Sequence, residues 1–578
     1  MTKKFYWLTL LSCFLMIGLM IGPSTPAVAG EEPQYGGTLK VANLGAHLNP
    51  ISWDIAEWTW KHGHDTGLYM EHLFMGDLQK GPRGTNEYAF AASAWIPPTV
   101  MRGELVESYE VKKDPLALVF HLRKGVYWQE KKGVMKRREF TADDVVYAQN
   151  RLKNSRKAIP TYVDWVEKWV ARDRYTAVAY LSKWNANWAY RFGWGYYDAI
   201  QAPEQEQIKD GKKVVNPKLW KNATGTGPYM VTDVKKGHSV TYTKNPDYWD
   251  TTPIGGKKYK LPFTDEIKTM LIKDRQMRIS ALRTGKIDMN MQIAAEDVAG
   301  LKKSVPQLLW SKYLGMGGYM VALRMDTKPF DDIRVRRALN LAVNQQEIID
   351  TLYNGEGQLV NYPFPITFKS VYTPYKDLPK TAQELFTYNP EKAKKMLTEA
   401  GYPNGFTFKA QIPNSTQIGL DVGAMVVAYL AKVGVKLELQ PMDYPSYLSM
   451  MLKKKQGPGY FFSNDHGNPF ATIRKNFVTG QTWNPYMMAD KHIDDTFFKT
   501  IVDQNLKPEE AYKIMKGLAV YAMDLAPAIW LPGGYVYVAR WPWVKNYFGE
   551  VRVGAWRSGP IFARVWIDQR LKKKMGYK

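Results

Sequence analysis

One cysteine occurs in 578 residues, and it lies in the first apolar stretch, at Cys13. If that stretch is a cleaved leader, the mature chain can form no internal disulfide and no thiolate metal site, which excludes zinc ribbons and cysteine proteases. Long hydrophobic runs are equally scarce: beyond the N-terminus nothing approaches the ~18 uninterrupted apolar residues of a spanning helix. Histidine is sparse, at eight residues, and the only local group is His62, His64 and His72, with Asp65 and Glu71 nearby. Solvated loop histidines account for that group without a metal. The chain has no G-x-S-x-G elbow, no P-loop, no G-x-G-x-x-G and no H-E-x-x-H. No nucleotide-binding or metalloprotease signature is left to follow.

What is present begins with an address. Lys3 and Lys4 precede an apolar run from Phe5 to about Gly22, and a Pro-bearing segment ends in Ala27-Val28-Ala29. That is the pattern of a secretory signal peptide over residues 1–29, so Gly30 is the expected mature N-terminus and the protein is expected in the periplasm or outside the cell. Leu10-Leu11-Ser12-Cys13 loosely resembles a lipoprotein box, but a lipidated cysteine follows the apolar run rather than sitting within it. The remaining 549 residues (578 minus 29) hold enough chain for several domains. They keep 77 Lys and Arg (79 minus Lys3 and Lys4) against 55 acids, a formal charge of +22. The basic residues fall in short clusters such as KKGVMKRRE (131–139) and the tail LKKKMGYK. In an exported chain this reads as a solvated basic surface with no nucleic-acid partner, attracting anionic solutes or an anionic membrane face at long range.

Strand-like and helix-like segments alternate without a repeat. GTLKVA (37–42), LALVFHL (116–122) and VGVKLELQ (433–440) have strand character, the first alternating Leu39 and Val41 and the last Val435, Leu437 and Leu439. In TADDVVYAQNRL, Thr141 followed by Asp144 fits a capping box, with Val145, Ala148 and Leu152 on one face. Val335, Ala338, Leu339, Ala342 and Val343 form a stripe of helical period, and Asn344 with Glu347 starts a fresh helix. Asn389, Pro390 and Gly401 punctuate another, whose inner face is Ala393, Met396, Leu397 and Ala400. Asp143-Asp144 and Asp331-Asp332 are therefore helix N-terminal acids rather than paired catalytic carboxylates.

Aromatic residues make up 13% of the chain and clump in WTW (58–60), WNANWAYRFGWGYY (184–197) and WLPGGYVYVARWPW (530–543). Core packing explains any one of them, while the density also suits a broad pocket with flat, rigid walls. Within SNDHGNPF (463–470), Asp465 beside His466 would suit a catalytic pair, a metal foothold or a cleft wall. No nucleophile accompanies it.

Several blocks, in order, resemble the extracellular solute-binding proteins of the peptide/nickel family, which feed ABC importers. They are YGGTLKVA, GELVESYEV (103–111), LVFHLRKGVYWQ (118–129), EFTADDVVYAQNRL (139–152) and GTGPYMVTDVKKG (225–237) with KNPDYWD. ALRTGKIDM (281–289), KPFDDIRVRRALNLAVNQQEI (328–348), YNPEKAKKMLTEAGYP (388–403) and LAKVGVKLELQPMDYPSYL (430–448) follow. The resemblance spans essentially the whole mature chain.

It implies an α/β fold of two lobes and three domains, the periplasmic-binding-protein fold, with a hinged cleft. Domain I would comprise 30–75, 216–314 and 526–578, domain II 76–215 and domain III 315–525, with hinges near 315–319 and 526–532. YFFSNDHGNPF corresponds to the cleft loop that in family peptide binders offers an aspartate to the ligand's ammonium, here Asp465. The backbone of Phe461, Phe462, Ser463 and Asn464 would pair with an extended peptide, with Phe462 as an aromatic wall. On the facing lobe Asp54, Ile55 and Ala56 would line the cleft, with Trp58 close by. The resemblance implies a monomer that carries short peptides to ABC permease subunits in the inner membrane, without catalytic residues, cofactor or metal.

Three departures keep the ligand open: Arg324 where the family often has Asn, Phe461 where glycine is common, and the aromatic stretch 165–215. Oligosaccharide, opine and nickel chelate remain as other solutes. A secreted hydrolase and a peptide-holding chaperone are the alternatives from other classes.

Overall fold

A computed structural model of the chain describes residues 32–42, 53–58, 62–91, 95–195, 197–210, 212–315, 319–462 and 467–577. Three larger sheets carry the fold. The central one is eight-stranded, in the order Tyr229–Lys235, Ser239–Lys244, Glu266–Met270, Thr38–Ala42, Met289–Ile293, Gly533–Arg540, Leu309–Leu314, with Gly357–Gln358 added alongside Gly533–Arg540. A four-stranded antiparallel sheet runs Val106–Lys113, Leu116–Leu122, Thr176–Leu181, Val166–Asp173. The third is five-stranded: Lys436–Met442, Thr407–Pro413, Gly459–Phe462, Met320–Leu323, Ala528–Trp530. The architecture is the α/β, three-domain, two-lobed one that the resemblance implies.

Local sequence accounts for these elements. Leu39 and Val41 are fully buried and lie opposite Ile267 and Thr269 in a parallel ladder. At the start of the helix Ala142–Lys153 the Thr141 N–H donates to Asp144 (2.9 Å), while Val145, Ala148 and Leu152 are fully buried. Asp332, Asn344 and Asn389 accept from the N–H groups of Arg334, Glu347 and Lys392, which opens three further helices. The acids at these N-termini are caps.

Two apolar cores divide the five-stranded sheet. On Gly459–Phe462 the side chain of Phe461 enters the core beneath the helices Ile333–Leu341 and Gln417–Ala431, whereas Tyr460 and Phe462 enter the larger core shared with the other two sheets. Strand alternation thus sends Phe462 toward the lobe junction and Phe461 away from it.

The chain passes from the central sheet to the five-stranded one just after Leu314 and returns just after Trp530. These crossings lie side by side: the Gly315 N–H donates to the Gly534 carbonyl (3.1 Å), and Met320 faces Trp530. So narrow a bridge lets the lobes rotate as rigid bodies. Gly357–Gln358, pairing with Gly534 and Gly533, adds a third tie at the same place. Among the described residues no helix is long and apolar enough to cross a membrane.

Candidate functional site

Thr38–Ala42, Met289–Ile293 and Leu309–Leu314 run in the same direction, and all end on the side where the chain crosses between lobes. In open α/β sheets ligands bind beyond the carboxyl ends of such strands. The site is therefore sought between these ends and the facing edge of the five-stranded sheet.

On the five-stranded side, register puts Phe462, Met320 and Trp530 in one row, each lateral to the next. All three side chains are buried in the larger core. Tyr362 stacks on Trp530 with centroids 5.6 Å apart, and the Tyr486 hydroxyl sits 3.0 Å from the Met320 sulfur. Hydrogen-bonding capacity is left over here. Among the described residues the Asn361 amide, 1% exposed, has no partner for its oxygen or its nitrogen, and the Trp530 indole N–H has none. Gly533 makes room for that amide, since a Cβ there would lie 2.1 Å from the Asn361 nitrogen.

The strand Gly459–Phe462 pairs with Met320–Leu323 along its whole length, but with Thr407–Pro413 only at Gly459 and Tyr460. Beyond Tyr460 this second edge carries no described strand, and the Tyr447 hydroxyl donates to the Phe461 carbonyl. Ser463, Asn464 and Asp465, which follow, lie outside the described residues, as does His466. Phe461, where the family commonly has glycine, fills the second core. Arg324, the other departure, turns to Asp326 (2.6 Å) at the surface.

On the other lobe, Asp54 caps the short turn Ile55–Glu57, and its carboxylate is gripped by the Arg151 fork at 2.5 and 2.9 Å. Ile55 is fully buried and Ala56 half-buried, its carbonyl accepting from Ser155. The Trp58 indole donates to the Leu152 carbonyl, and its ring lies against Tyr197 (4.8 Å) and Tyr162 (6.1 Å). These residues form the packing that seats the turn on the helix Ala142–Lys153, and Asp54 is committed to Arg151.

From Tyr162 the contacts cross to the other lobe. Arg474 lies 5.4 Å over the Tyr162 ring, Trp95 packs on Phe368 (4.6 Å) and Tyr512 (5.7 Å), and the Ala186 N–H donates to the Ile501 carbonyl (2.8 Å). The lobes are in contact. A cavity of about 30 Å³ remains at this seam, between Trp165, Asn187 and Arg191 on one lobe and Phe470, Arg474 and Phe497 on the other. It has room for one or two waters. The aromatic stretch 165–215 mostly fills core: Trp165, Phe192 and Trp194 are buried, while Trp165 and the segment 185–191 also meet the seam.

Beneath the cleft, Glu104 is held by both terminal nitrogens of Arg557 (2.7 and 2.9 Å) and by the His72 N–H (2.9 Å). Glu71 accepts from the Trp249 indole (2.9 Å). Burial, then the nearby Glu104 charge, pushes the Glu71 carboxyl well above the usual range. Burial, then the Arg557 charge, pushes His72 well below its own, and its Nδ1 faces the Gly193 carbonyl (2.9 Å). Among the described residues no group of three or more His, Cys, Asp or Glu is placed to hold a metal.

Sequence reasoning had no means of finding Met320, Asn361, Arg151 or Tyr362. Trp530 lay in a noted aromatic clump, with nothing to single it out.

This fold, with its two crossings and facing aromatic row, is that of a two-lobed solute-binding protein. The family model described as bacterial extracellular solute-binding proteins, family 5 Middle, matches residues 100–477, and the chain belongs to that family. It is 27% identical over 475 residues to heme-binding protein A of Haemophilus influenzae, covering 77% of this chain and 81% of that protein. It is 28% identical over 455 residues to di/tripeptide-binding protein 1 of Pseudomonas aeruginosa, covering 73% and 79%. Among solved structures, the periplasmic binding protein DppA of Helicobacter pylori in complex with the peptide STSA superposes with a TM-score of 0.71 at 23% identity, covering 93% of this chain and 99% of that one.

Proposed function

We propose that the protein is the exported receptor of an ABC importer, binding short peptides in the interlobe cleft and delivering them to permease subunits in the inner membrane. One observation carries the peptide reading: the unanswered Asn361 amide beside the row Phe462–Met320–Trp530. A primary amide offers N–H donors and a carbonyl acceptor side by side, so it can answer both the C=O and the N–H of a peptide group, and buried polar groups are retained when something hydrogen-bonds them. The strand edge at Phe461 and Phe462 supports the same reading, since an extended peptide can pair there, and Ser463 and Asn464, outside the described residues, would continue the pairing. In this reading Asp465 takes the peptide's ammonium, Phe462 walls the site, and Asp54, Ile55, Ala56 and Trp58 form its opposite side. Sheet membership supports the domain boundaries proposed at 215/216 and 314/315, whereas 75/76 falls inside the strand Phe74–Gly76 and 525/526 precedes Ala528–Trp530, a strand of the five-stranded sheet. No catalytic role is assigned.

A thermal-shift screen separates the solutes, with di- and tripeptides, oligosaccharides, opines, nickel chelates and haem as its arms. Stabilisation by peptides alone is the expected result, and stabilisation by another arm alone refutes the reading. Calorimetry then tests the ammonium contact. Asp465→Asn is expected to weaken a binding peptide roughly 30- to several-thousand-fold, the range for breaking a buried charge pair, while His466→Ala leaves affinity near wild type.

A further inference from the structure

Arg552 is 5% exposed, and among the described residues no carboxylate meets it. Its guanidinium donates to the Val551 carbonyl (2.7 Å) and lies 5.5 Å over the Trp556 ring, and its Nε finds no partner among the described residues. Among the described residues the ionisable groups that act on it are the phenols of Tyr313 and Tyr547, whose pKa values burial raises. Glu550, two residues away, is taken by Arg83 (2.5 Å) and the Phe548 N–H (3.0 Å). A buried charge without a counter-charge is costly, and proteins ordinarily pair it.

Arg552 neighbours Tyr313, near the end of the central sheet where the chain crosses between the lobes. Tyr313 ends the strand Leu309–Leu314, which enters the first crossing, and its hydroxyl is occupied by the Met291 carbonyl. The N–H groups of Val551 and Arg552 both reach the Phe90 carbonyl, and this segment leads to Trp95, which touches the opposite lobe. The His64 ring lies 4.6 Å from Trp556. Phe90 and Trp556 both hold positive φ, at 52° and 59°, which is strained for bulky side chains and recurs around binding sites.

We propose that Arg552 is the anion-recognising group of the solute site, taking a carboxylate of the bound solute against the face of Trp556. The assignment rests on the peptide reading for which carboxylate that is: the free C-terminus or an acidic side chain. The guanidinium fork suits either, since both present two coplanar oxygens.

The test is calorimetric titration of the full mature chain with Ala-Ala-Ala, its C-terminal amide, and the amides of Ala-Glu-Ala and Ala-Gln-Ala. Wild type is expected to prefer one carboxylate-bearing member of a pair at least tenfold, the pair identifying the source. Arg552→Gln is expected to erase that preference, and Arg552→Lys to retain part of it. Equal binding of acid and amide in both pairs by wild type, which needs no variant to fold, overturns the proposal. So does a preference that survives Arg552→Gln in a protein with a wild-type unfolding transition. If no peptide binds, the peptide reading fails separately, and succinate and citrate become the probes. Thermal stabilisation by either that is lost in Arg552→Gln sustains the anion site, and no such response refutes it.

Discussion

Arg557 and Arg552 lie five residues apart in the same C-terminal segment, both buried, and they are held in opposite ways. Arg557 forms a two-pronged pair with Glu104, a residue 453 positions away, and both side chains are fully buried. Arg552 has an aromatic face, one carbonyl and no acid. A complete buried pair fastens the C-terminal segment to the loop that leads into the four-stranded domain. A buried charge left incomplete is held ready for a partner from outside. Burial alone does not distinguish the two roles; the counter-charge does.

The most severe way to break the comparison is to strip Arg557. Arg557→Met leaves Glu104 bare beside Glu71, and removing one member of a buried pair typically costs about 3–5 kcal/mol. Urea unfolding should show that loss, and the double variant Arg557→Met, Glu104→Leu should recover most of it. A loss under ~1 kcal/mol for the single variant would mean that the pair is not a fastening.

Glu71 sharpens the comparison by pH. Burial, then the charge of Glu104, which owns the arginine, favours its neutral form, and its pKa is raised from 4.5. The stability it contributes is therefore full below about 4.5 and is lost as pH rises through its folded value. Glu71→Gln keeps the acceptor for Trp249 and removes that loss. The variant should gain on wild type between about pH 5 and pH 8, by about 1.4 kcal/mol for each unit by which the folded pKa is raised. Parallel unfolding curves at both pH values would contradict the raised pKa. His72 works in the opposite sense, its neutral form losing stability as pH falls through the range below 6.5. Both proteins carry it, so it cancels in the difference.

The smallest effect is expected at Arg552. Arg552→Met removes a buried charge that no described acid compensates, and the unliganded protein should be as stable as wild type or more so, within ~1.5 kcal/mol. A destabilisation as large as that of Arg557→Met would place Arg552 among the structural arginines.

Much of the scaffold was legible in short stretches. Thr141 with Asp144, Asp332, Asn344 and Asn389 cap the helices they were expected to cap, because a cap is a contact within three residues. Leu39 and Val41 face inward because alternation is written in the strand itself. The site was less legible. Phe461 and Phe462, adjacent and chemically alike, enter different cores, and only the register against Met320 and Val321 assigns Phe462 to the lobe junction. Asp54 is a helix cap gripped by Arg151, a pairing set by the seating of one helix on one turn.

Composition and local pattern determined the caps, the strand faces and, through the order of its blocks, the family, since each depends on residues close together in the chain. The tertiary structure decided which arginine is answered and which is not. Glu104 reaches Arg557 across 453 positions, while among the described residues Arg552 meets the Val551 carbonyl, Tyr313, Tyr547 and Trp556 but no acid. Pairing between charges depends on distance in space and on exclusion of water, and neither is set by position along the chain.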